Sequence, residues 1–283
     1  MKTMRENAAR AINYRLCILA NWLAGSRFNV SVLELTKYLL KHGFESKARS
    51  MVRSVGEETD YYVIRLKDIE VPLYYPRGLQ LLDFYQVIVE QCFPDSWHKY
   101  SCDHTLVEDG DIVADCGAGE GLFALINIAK CKRLYAIEPH PSFVDALSKT
   151  FGGHENIEIL PFALSDRLGD AFLSDAGLTS SLGVSIEGIP VKVTTIDTLF
   201  YERSVPCTYI KGDLEGFDYL MLKGAENTIR ENLPKIAVTT YHATNHAELI
   251  SRYLKKICPE YNILEKGVTN VFRKPIMLHA WVD

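Results

Sequence analysis

Short apolar stretches alternate with stretches of helical periodicity through the second half of the chain. The alternation begins near residue 109 and predicts an α/β fold, in which a mostly parallel sheet carries helices on both faces. The predicted strands are 111–116, 133–137, 157–161, 207–211 and 235–241, with a last pair at 261–264 and 276–281. The predicted helices lie near 121–130, 142–151, 218–231 and 246–257.

The first hundred residues have a different pattern. Helical periodicity occupies 5–24 and 31–41, and Ser31 precedes the second helix with Glu34 three residues on, as in a capping box. Two apolar, Tyr-rich runs, 61–66 and 71–76, predict a strand pair, and a helix is expected over 79–92. We therefore expect three parts: a helical N-terminal extension at 1–58, a strand pair with a connecting helix at 59–108, and an α/β domain at 109–283.

Composition narrows the class of protein. An apolar content of 47% over 283 residues is ordinary for a globular chain, and no apolar run reaches the length of a membrane span. The net charge of −5 offers no basic field for a long nucleic-acid substrate. The 7 cysteines form no Cys-x-x-Cys pair and are odd in number, so we expect reduced thiols and a cytoplasmic protein.

The strand at 111–116 leads into a glycine-rich turn. Gly117, Gly119 and Gly121 allow a tight exit from the strand and let a ligand lie against bare backbone before a helix begins near Leu122. The dinucleotide fingerprint needs its third glycine one place later, at Leu122. Asp115, two residues before the first glycine, would also repel a pyrophosphate. An NAD-dependent oxidoreductase or epimerase remains an alternative, but the turn disfavours it.

The acids around this turn favour S-adenosylmethionine, which has no phosphate and carries an ammonium and a sulfonium. Glu138 ends the second strand, where folds of this kind place the acid that accepts hydrogen bonds from both ribose hydroxyls. The segment that follows the third strand, 161–166, could line the adenine. The residues expected to bind the cofactor are Asp115, Gly117, Ala118, Gly119, Gly121, Glu138, Pro139, Ala163 and Leu164.

Polar side chains also follow the fourth and fifth strands. Lys211, Asp213 and Glu215 follow the fourth, and Tyr241 and His242 follow the fifth. Ligands in open α/β sheets bind beyond the carboxyl ends of the strands, so we expect these groups around one crevice. Two carboxylates and an imidazole could take a proton in acid–base catalysis, which we favour. They could equally ligate Mg²⁺ or Mn²⁺, which leaves metal dependence open.

Several motifs in this half resemble those of the FkbM-type S-adenosylmethionine-dependent methyltransferases. The longest is Lys-Gly-Asp-Leu-Glu-Gly-Phe-Asp-Tyr-Leu-Met-Leu-Lys-Gly-Ala at 211–225, and it is joined in the family's order by 162–166, 179–182, 193–197 and 234–238. Gly212 departs from the pattern, which more often has a branched apolar residue there. The resemblance covers roughly 109–283 and implies a Rossmann-like class I methyltransferase with a seven-stranded sheet. It also implies O-methylation of a sugar or other small hydroxyl compound.

With the resemblance, the expected roles are as follows. Catalysis is assigned to Lys211, Asp213, Glu215 and His242, and acceptor binding to Thr179, Ser180, Ser181 and Tyr241. The expected partner is a small-molecule or saccharide acceptor, with a homodimer as an open alternative and no nucleic acid. A non-catalytic S-adenosylmethionine-binding protein is a further alternative. Residues 1–75 carry no family motif, and we expect them to help form the acceptor pocket or a dimer contact.

Overall fold

The computed structural model describes residues 2–40, 44–174, 182–183 and 188–283. Its helices are α1 (Lys2–Leu23), α2 (Val32–Leu40), α3 (Phe44–Arg49), α4 (Leu81–Cys92), α5 (Leu122–Asn127), α6 (Pro141–Phe151), α7 (Ile196–Leu199), α8 (Asp218–Lys223), α9 (Glu226–Asn232) and α10 (His246–Ile257). Its strands are β1 (Val52–Glu57), β2 (Tyr61–Leu66), β3 (Leu73–Pro76), β4 (Ile112–Cys116), β5 (Arg133–Ile137), β6 (Ile157–Leu160), β7 (Ala163–Leu164), β8 (Gly169–Leu173), β9 (Leu182–Gly183), β10 (Ile189–Thr194), β11 (Tyr209–Gly212), β12 (Lys235–Thr239), β13 (Asn262–Lys266) and β14 (Met277–Trp281). None of the helices within these ranges is long and apolar enough to span a membrane.

A seven-stranded sheet forms the centre of the molecule, in the order β13-β14-β12-β11-β4-β5-β6. Strands β12, β11, β4, β5 and β6 pair in parallel, and β14 is antiparallel to both of its neighbours. The predicted Rossmann-like fold with a mostly parallel sheet is confirmed. Strands β4 and β11 are adjacent and parallel, with Asp115 beside Lys211 in register. The polar residues at the carboxyl ends of the two strands therefore lie close together.

Both faces of the sheet are buried, which explains why its strands read as nearly continuous apolar runs. Successive residues of β4 point to opposite faces: Val113 joins the core under α4, α5 and α6, and Ala114 joins the core under α8, α9 and α10. Phe84 and Ile88 of α4 are fully buried in the first core. This packing places α4, which lies ahead of the α/β domain, directly beside the central sheet.

The N-terminal elements follow the sequence prediction in part. The predicted strand pair is present as antiparallel β2 and β3, and the capping box is present, with the Ser31 backbone N–H donating to Glu34 at 2.8 Å. Trp22, Val30 and Leu35 from this region pack with Trp97 and Val268. Strand β1 was not predicted, because its Val-Arg-Ser-Val-Gly-Glu sequence is mostly exposed at the edge of the small sheet and shows no buried face.

Two features of the α/β domain differ from the prediction. The helix expected over 218–231 is two helices, α8 and α9, because Gly224 packs against the Ser165 carbonyl and the Asp197 carboxylate caps α9 through the Thr228 backbone N–H. A second sheet, β7-β10-β8-β9, was also missed. Strands β7 and β9 are only two residues long, and β8 begins with two exposed residues, so these strands give little apolar pattern to detect.

Candidate active site

A pocket of about 320 Å³ opens at the carboxyl ends of β4, β5 and β11. One side is formed by the glycine turn after β4, together with Glu138 and Pro139 after β5 and Ala163 and Leu164 of β7. The other side is formed by the segment after β11, by Tyr241 after β12, and by α4 with the loop that follows it. This volume lies at the lower end of the range for small-molecule sites.

The glycine turn is built for close approach. Gly117 and Gly119 have φ angles of 71° and 53°, in a region that residues other than glycine rarely adopt. A Cβ on Gly117 would collide with the backbone carbonyl of Asp213. Gly121 does not line the pocket; its Cβ would lie 2.6 Å from Leu147 Cδ2, so it permits α5 to pack on α6. Gly117, Ala118 and Gly119 therefore present backbone to the pocket.

Glu138 is fixed at the pocket wall by two backbone hydrogen bonds. Its Oε2 accepts from the Gly119 N–H at 2.9 Å, and its Oε1 accepts from the His140 N–H at 2.8 Å. Burial raises the pKa of Glu138, and the two N–H groups oppose that shift. Each carboxylate oxygen has two lone pairs, so Glu138 keeps acceptor capacity for a ligand in the pocket.

Asp115 and Lys211 form a buried ion pair behind the glycine turn, with Lys211 Nζ 3.1 Å from Asp115 Oδ1. Asp115 is fully buried and is not among the pocket-lining residues. Lys211 Nζ also donates to the carbonyls of Cys116, the last residue of β4, and of Gly117, the first residue of the turn. Burial lowers the pKa of Lys211 and raises that of Asp115. For Lys211 the surrounding carboxylates outweigh burial and raise its pKa, so its ammonium is retained and holds the turn in place.

Asp213 lies at the centre of a polar cluster on the opposite wall. Its Oδ2 accepts a 2.6 Å hydrogen bond from Tyr100, and its Oδ1 accepts one of 3.1 Å from Thr239. Burial raises the pKa of Asp213, but the hydrogen bond from His242 and the charges of His98 and Lys211 outweigh burial and lower it. Asp213 is thus held as a carboxylate.

His242 lies between two carboxylates. Its Nε2 is 3.3 Å from Asp213 Oδ1, and its Nδ1 is 2.8 Å from Glu215 Oε2. Burial lowers the pKa of His242, but these two partners raise it to about 10, so the ring is an imidazolium near neutral pH. The structure brings these three residues together, and in this arrangement a protonated His242 donates to its partners.

The three side chains also satisfy the distance requirement for a cation site, since their ligand atoms lie within 4.8 Å of one another. The two nitrogens of His242, however, face different carboxylates. A single ion can use only one of those nitrogens, and it would have to displace the carboxylate paired there. The observed arrangement is that of a charge-paired network, and we assign no metal to it.

The structure adds residues that sequence patterns did not single out. Glu90, His98 and Tyr100 line the second wall, and Glu120 lies beside the glycine turn. Burial raises the pKa of Glu120 to about 7. In α4, the local signal was the helical spacing of polar residues such as Gln86 and Glu90, which hydrogen-bond to each other. His98 and Tyr100 lie in a loop, and only tertiary packing brings them to Asp213.

Among the expected acceptor-binding residues, Tyr241 lines the pocket, and its ring lies edge-on to His98 with centroids 5.3 Å apart. Thr179, Ser180 and Ser181 lie outside the described residues. Within the described ranges, no residue before Asp83 lines the pocket. The part of the chain ahead of the α/β domain thus reaches the pocket through α4 and the loop after it.

A match to a known protein family covers most of the residues of this pocket. The model of the methyltransferase FkbM domain matches residues 115–262, just over half of the chain. The chain belongs to the FkbM methyltransferase family. This confirms the resemblance seen in the sequence and places the chain among the S-adenosylmethionine-dependent methyltransferases. The matched part includes the glycine turn, Glu138, Asp213 and His242, whereas α4, His98 and Tyr100 precede it.

Solved structures with related folds were also found. A methyltransferase FkbM from Methylobacillus flagellatus is 24% identical, with 62% of this chain and 44% of that chain covered and a TM-score of 0.49. This chain therefore matches less than half of that protein. An rRNA methylase from Streptococcus thermophilus is 14% identical, with 62% of this chain and 90% of that chain covered and a TM-score of 0.41. No curated protein matches the chain significantly.

Proposed function

We propose that this FkbM-family protein transfers the methyl group of S-adenosylmethionine to a hydroxyl oxygen of a sugar or another small polyhydroxylated molecule. The observation that carries the proposal is the direct contact between the two walls of the pocket. Asp213 lies so close to Gly117 that a methyl group on that glycine could not fit. A ligand held against the glycine turn would therefore have its reacting end beside the Asp213 cluster.

The glycine-turn wall suits S-adenosylmethionine in shape and charge. Glu138 offers acceptor capacity for ribose hydroxyls, and Gly117, Ala118 and Gly119 offer bare backbone. Pro139, Ala163 and Leu164 provide an apolar surface for the adenine. When bound, S-adenosylmethionine supplies an electrophilic methyl group on a sulfonium. The acids around the pocket, Glu120 among them, favour a ligand with two positive charges.

The α4 wall supports a polyhydroxylated acceptor. Asp83, Gln86, Glu90 and Gln91 face the pocket from this one helix, at spacings that place them on one side. The Oε1 of Gln91 is buried and makes no hydrogen bond within the described part of the chain. Carboxylates and amides beside the ring of Tyr241 can accept and donate several hydrogen bonds to hydroxyls while the ring packs against a sugar face.

We assign the remaining residues roles that follow from their contacts. Asp213 would accept a hydrogen bond from the acceptor hydroxyl and hold it in line for reaction. Protonated His242, held by Glu215, would keep Asp213 ionised and oriented. Lys211 would act through the glycine turn, since its ammonium pairs with Asp115 and with the carbonyls of the turn. All 7 cysteines are free, which supports action in the cytoplasm.

The test is methyl transfer from S-adenosylmethionine labelled in the methyl group to a panel of monosaccharides, disaccharides and small polyols. The product is identified by mass spectrometry, and the variants Asp213→Asn and the exposed control Asp103→Asn are assayed beside the wild type. An O-methylated product that Asp213→Asn fails to form supports the proposal. Tight S-adenosylmethionine binding without product indicates a binding protein instead, and activity abolished by EDTA indicates a metal at Asp213, Glu215 and His242.

A further inference from the structure

His98 faces the pocket with one ring nitrogen unused. The residue is 9% exposed and lines the pocket, and its Nε2 is buried without a hydrogen bond among the described residues. The nearest acid to this nitrogen is Asp213, whose Oδ2 lies 4.0 Å away. A buried, unpartnered ring nitrogen in a polar pocket is costly unless a ligand pairs with it.

The other nitrogen of His98 is held by a carboxylate. His98 Nδ1 lies 3.2 Å from Glu90 Oε2, and Glu90 Oε1 accepts a 2.8 Å hydrogen bond from the Gln86 side chain. Both oxygens of Glu90 are therefore engaged, which fixes the orientation of the imidazole. A carboxylate on Nδ1 also favours the tautomer that leaves Nε2 free to accept a proton.

The other candidate proton acceptors are less suitable. His242 Nε2 also makes no hydrogen bond among the described residues, but it lies 3.3 Å from Asp213 Oδ1 while Nδ1 lies 2.8 Å from Glu215 Oε2. These two carboxylates raise the pKa of His242 to about 10 and keep the ring protonated. Asp213 already accepts hydrogen bonds from Tyr100 and Thr239, and the cations around it lower its pKa. Among these three residues, His98 alone lines the pocket with a ring nitrogen that has no carboxylate within hydrogen-bond distance, and this nitrogen can accept a proton whenever the ring is neutral.

We propose that His98 is the general base of the methyl transfer and that Glu90 positions it. The inference rests on the proposed function. As the acceptor hydroxyl forms its new O–C bond, the C–S bond of the sulfonium breaks and its electron pair stays on sulfur. The hydroxyl proton passes to the Nε2 of neutral His98, and the resulting imidazolium is stabilised by Glu90 until the proton leaves to solvent.

The groups that face His98 determine its pH dependence. Glu90 approaches from α4, Asp213 from the segment after β11, protonated His242 and Tyr241 from the segment after β12, and Tyr100 from its own loop. Burial lowers the pKa of His98 and His242 opposes protonation, but the two carboxylates raise the pKa above its usual value. A base must be unprotonated, so the rate should rise with pH through a value above about 6.5.

The kinetic test compares His98→Asn and Glu90→Gln with the exposed controls His104→Asn and Glu45→Gln, using an acceptor that the wild type methylates. General-base roles are commonly worth about a hundred- to ten-thousand-fold in rate, and His98→Asn should fall by that much with unchanged S-adenosylmethionine affinity. Glu90→Gln should lower kcat and move the acid limb of the pH profile to lower pH. A His98→Asn rate within a few-fold of the wild type would overturn the inference while leaving the proposed function intact.

A second measurement does not depend on turnover. The imidazole nitrogens of the ¹⁵N-labelled protein are followed by NMR from pH 5 to 10, with and without S-adenosylhomocysteine as the probe. We expect the His98 resonances, assigned by their loss in His98→Asn, to titrate, and their pKa to fall in Glu90→Gln. A ring that stays in one protonation state throughout, or a pKa that Glu90→Gln leaves unchanged, would contradict the dyad even if no acceptor were found.

Discussion

Tyr100 and Asp213, which are 113 residues apart in sequence, are joined by a 2.6 Å hydrogen bond from the phenol to the carboxylate. Tyr100 precedes the part of the chain that the family model matches, and Asp213 lies within it. The bond therefore ties the loop after α4 to the polar cluster of the pocket. Tyr100 is also fixed from behind, since the Tyr209 hydroxyl donates to its carbonyl.

Replacing Tyr100 with Phe should destabilise the protein. Hydrogen bonds to charged groups contribute about 1.5–3 kcal/mol, and Asp213 would keep its charge without this donor. The unfolding temperature should then fall by about 3–12 °C, as measured by calorimetry. Tyr201→Phe, at an exposed tyrosine, is the control and should change little. An unchanged unfolding temperature in Tyr100→Phe would show that this hydrogen bond does not hold the loop.

Replacing Gly117 with Ala should disrupt the turn itself. At its φ of 71° an alanine costs roughly 1–2 kcal/mol in backbone strain, and the new methyl group would also displace the Asp213 carbonyl. We expect the variant to be less stable than the wild type. We also expect it to lose more S-adenosylmethionine affinity than a variant that suffers the backbone strain without the clash. Gly110→Ala is the matched control, because Gly110 also has a positive φ, 92°, and nothing lies within 4 Å of the Cβ it would add. Equal affinities in the two variants would contradict the close-approach account.

The charge network around His242 should make stability fall at alkaline pH. The pKa of His242 is raised from 6.5 to about 10, so the folded protein keeps a proton that the unfolded chain loses. This contribution is fully present below about 6.5 and disappears as pH rises through 10. The free energy of unfolding, measured with urea, should therefore be lower at pH 9 than at pH 6. This difference should shrink in His242→Asn and persist in the control His104→Asn. A difference as large in His242→Asn as in the wild type would argue against a protonated His242.

Cofactor binding should release a proton from Glu120. The pKa of this carboxyl is raised from 4.5 to about 7 by burial, and a cationic ligand nearby would lower it. The affinity for S-adenosylmethionine should then rise between pH 5.5 and 7, and the binding enthalpy at pH 6.5 should depend on the ionisation enthalpy of the buffer. Glu120→Gln should remove both effects. Buffer-independent enthalpies in the wild type would place Glu120 away from the ligand charges.

The sequence predicted best those features that depend on residue spacing within a single strand, turn or helix. The α/β alternation, the glycine turn and the strand-end acids Glu138, Asp213 and Glu215 could be predicted because each follows from spacing within one segment. His98 could not, since its partner Glu90 lies on a helix whose pocket-facing side is visible only once α4 packs on the sheet. Asp115 shows the opposite case: the sequence places it at the turn, but only the structure reveals that Lys211 pairs with it behind the pocket.

The measurement that tests the account most directly is calorimetric titration of the wild type and Glu138→Ala with S-adenosylmethionine, and of the wild type with NAD. The Glu138→Ala substitution removes a charge-assisted hydrogen-bond acceptor worth about 1.5–3 kcal/mol, so it should weaken S-adenosylmethionine binding roughly ten- to a hundred-fold. The wild type should bind NAD weakly or not at all. Equal S-adenosylmethionine affinity in both proteins, or NAD binding tighter than S-adenosylmethionine binding, would contradict the assignment of this pocket.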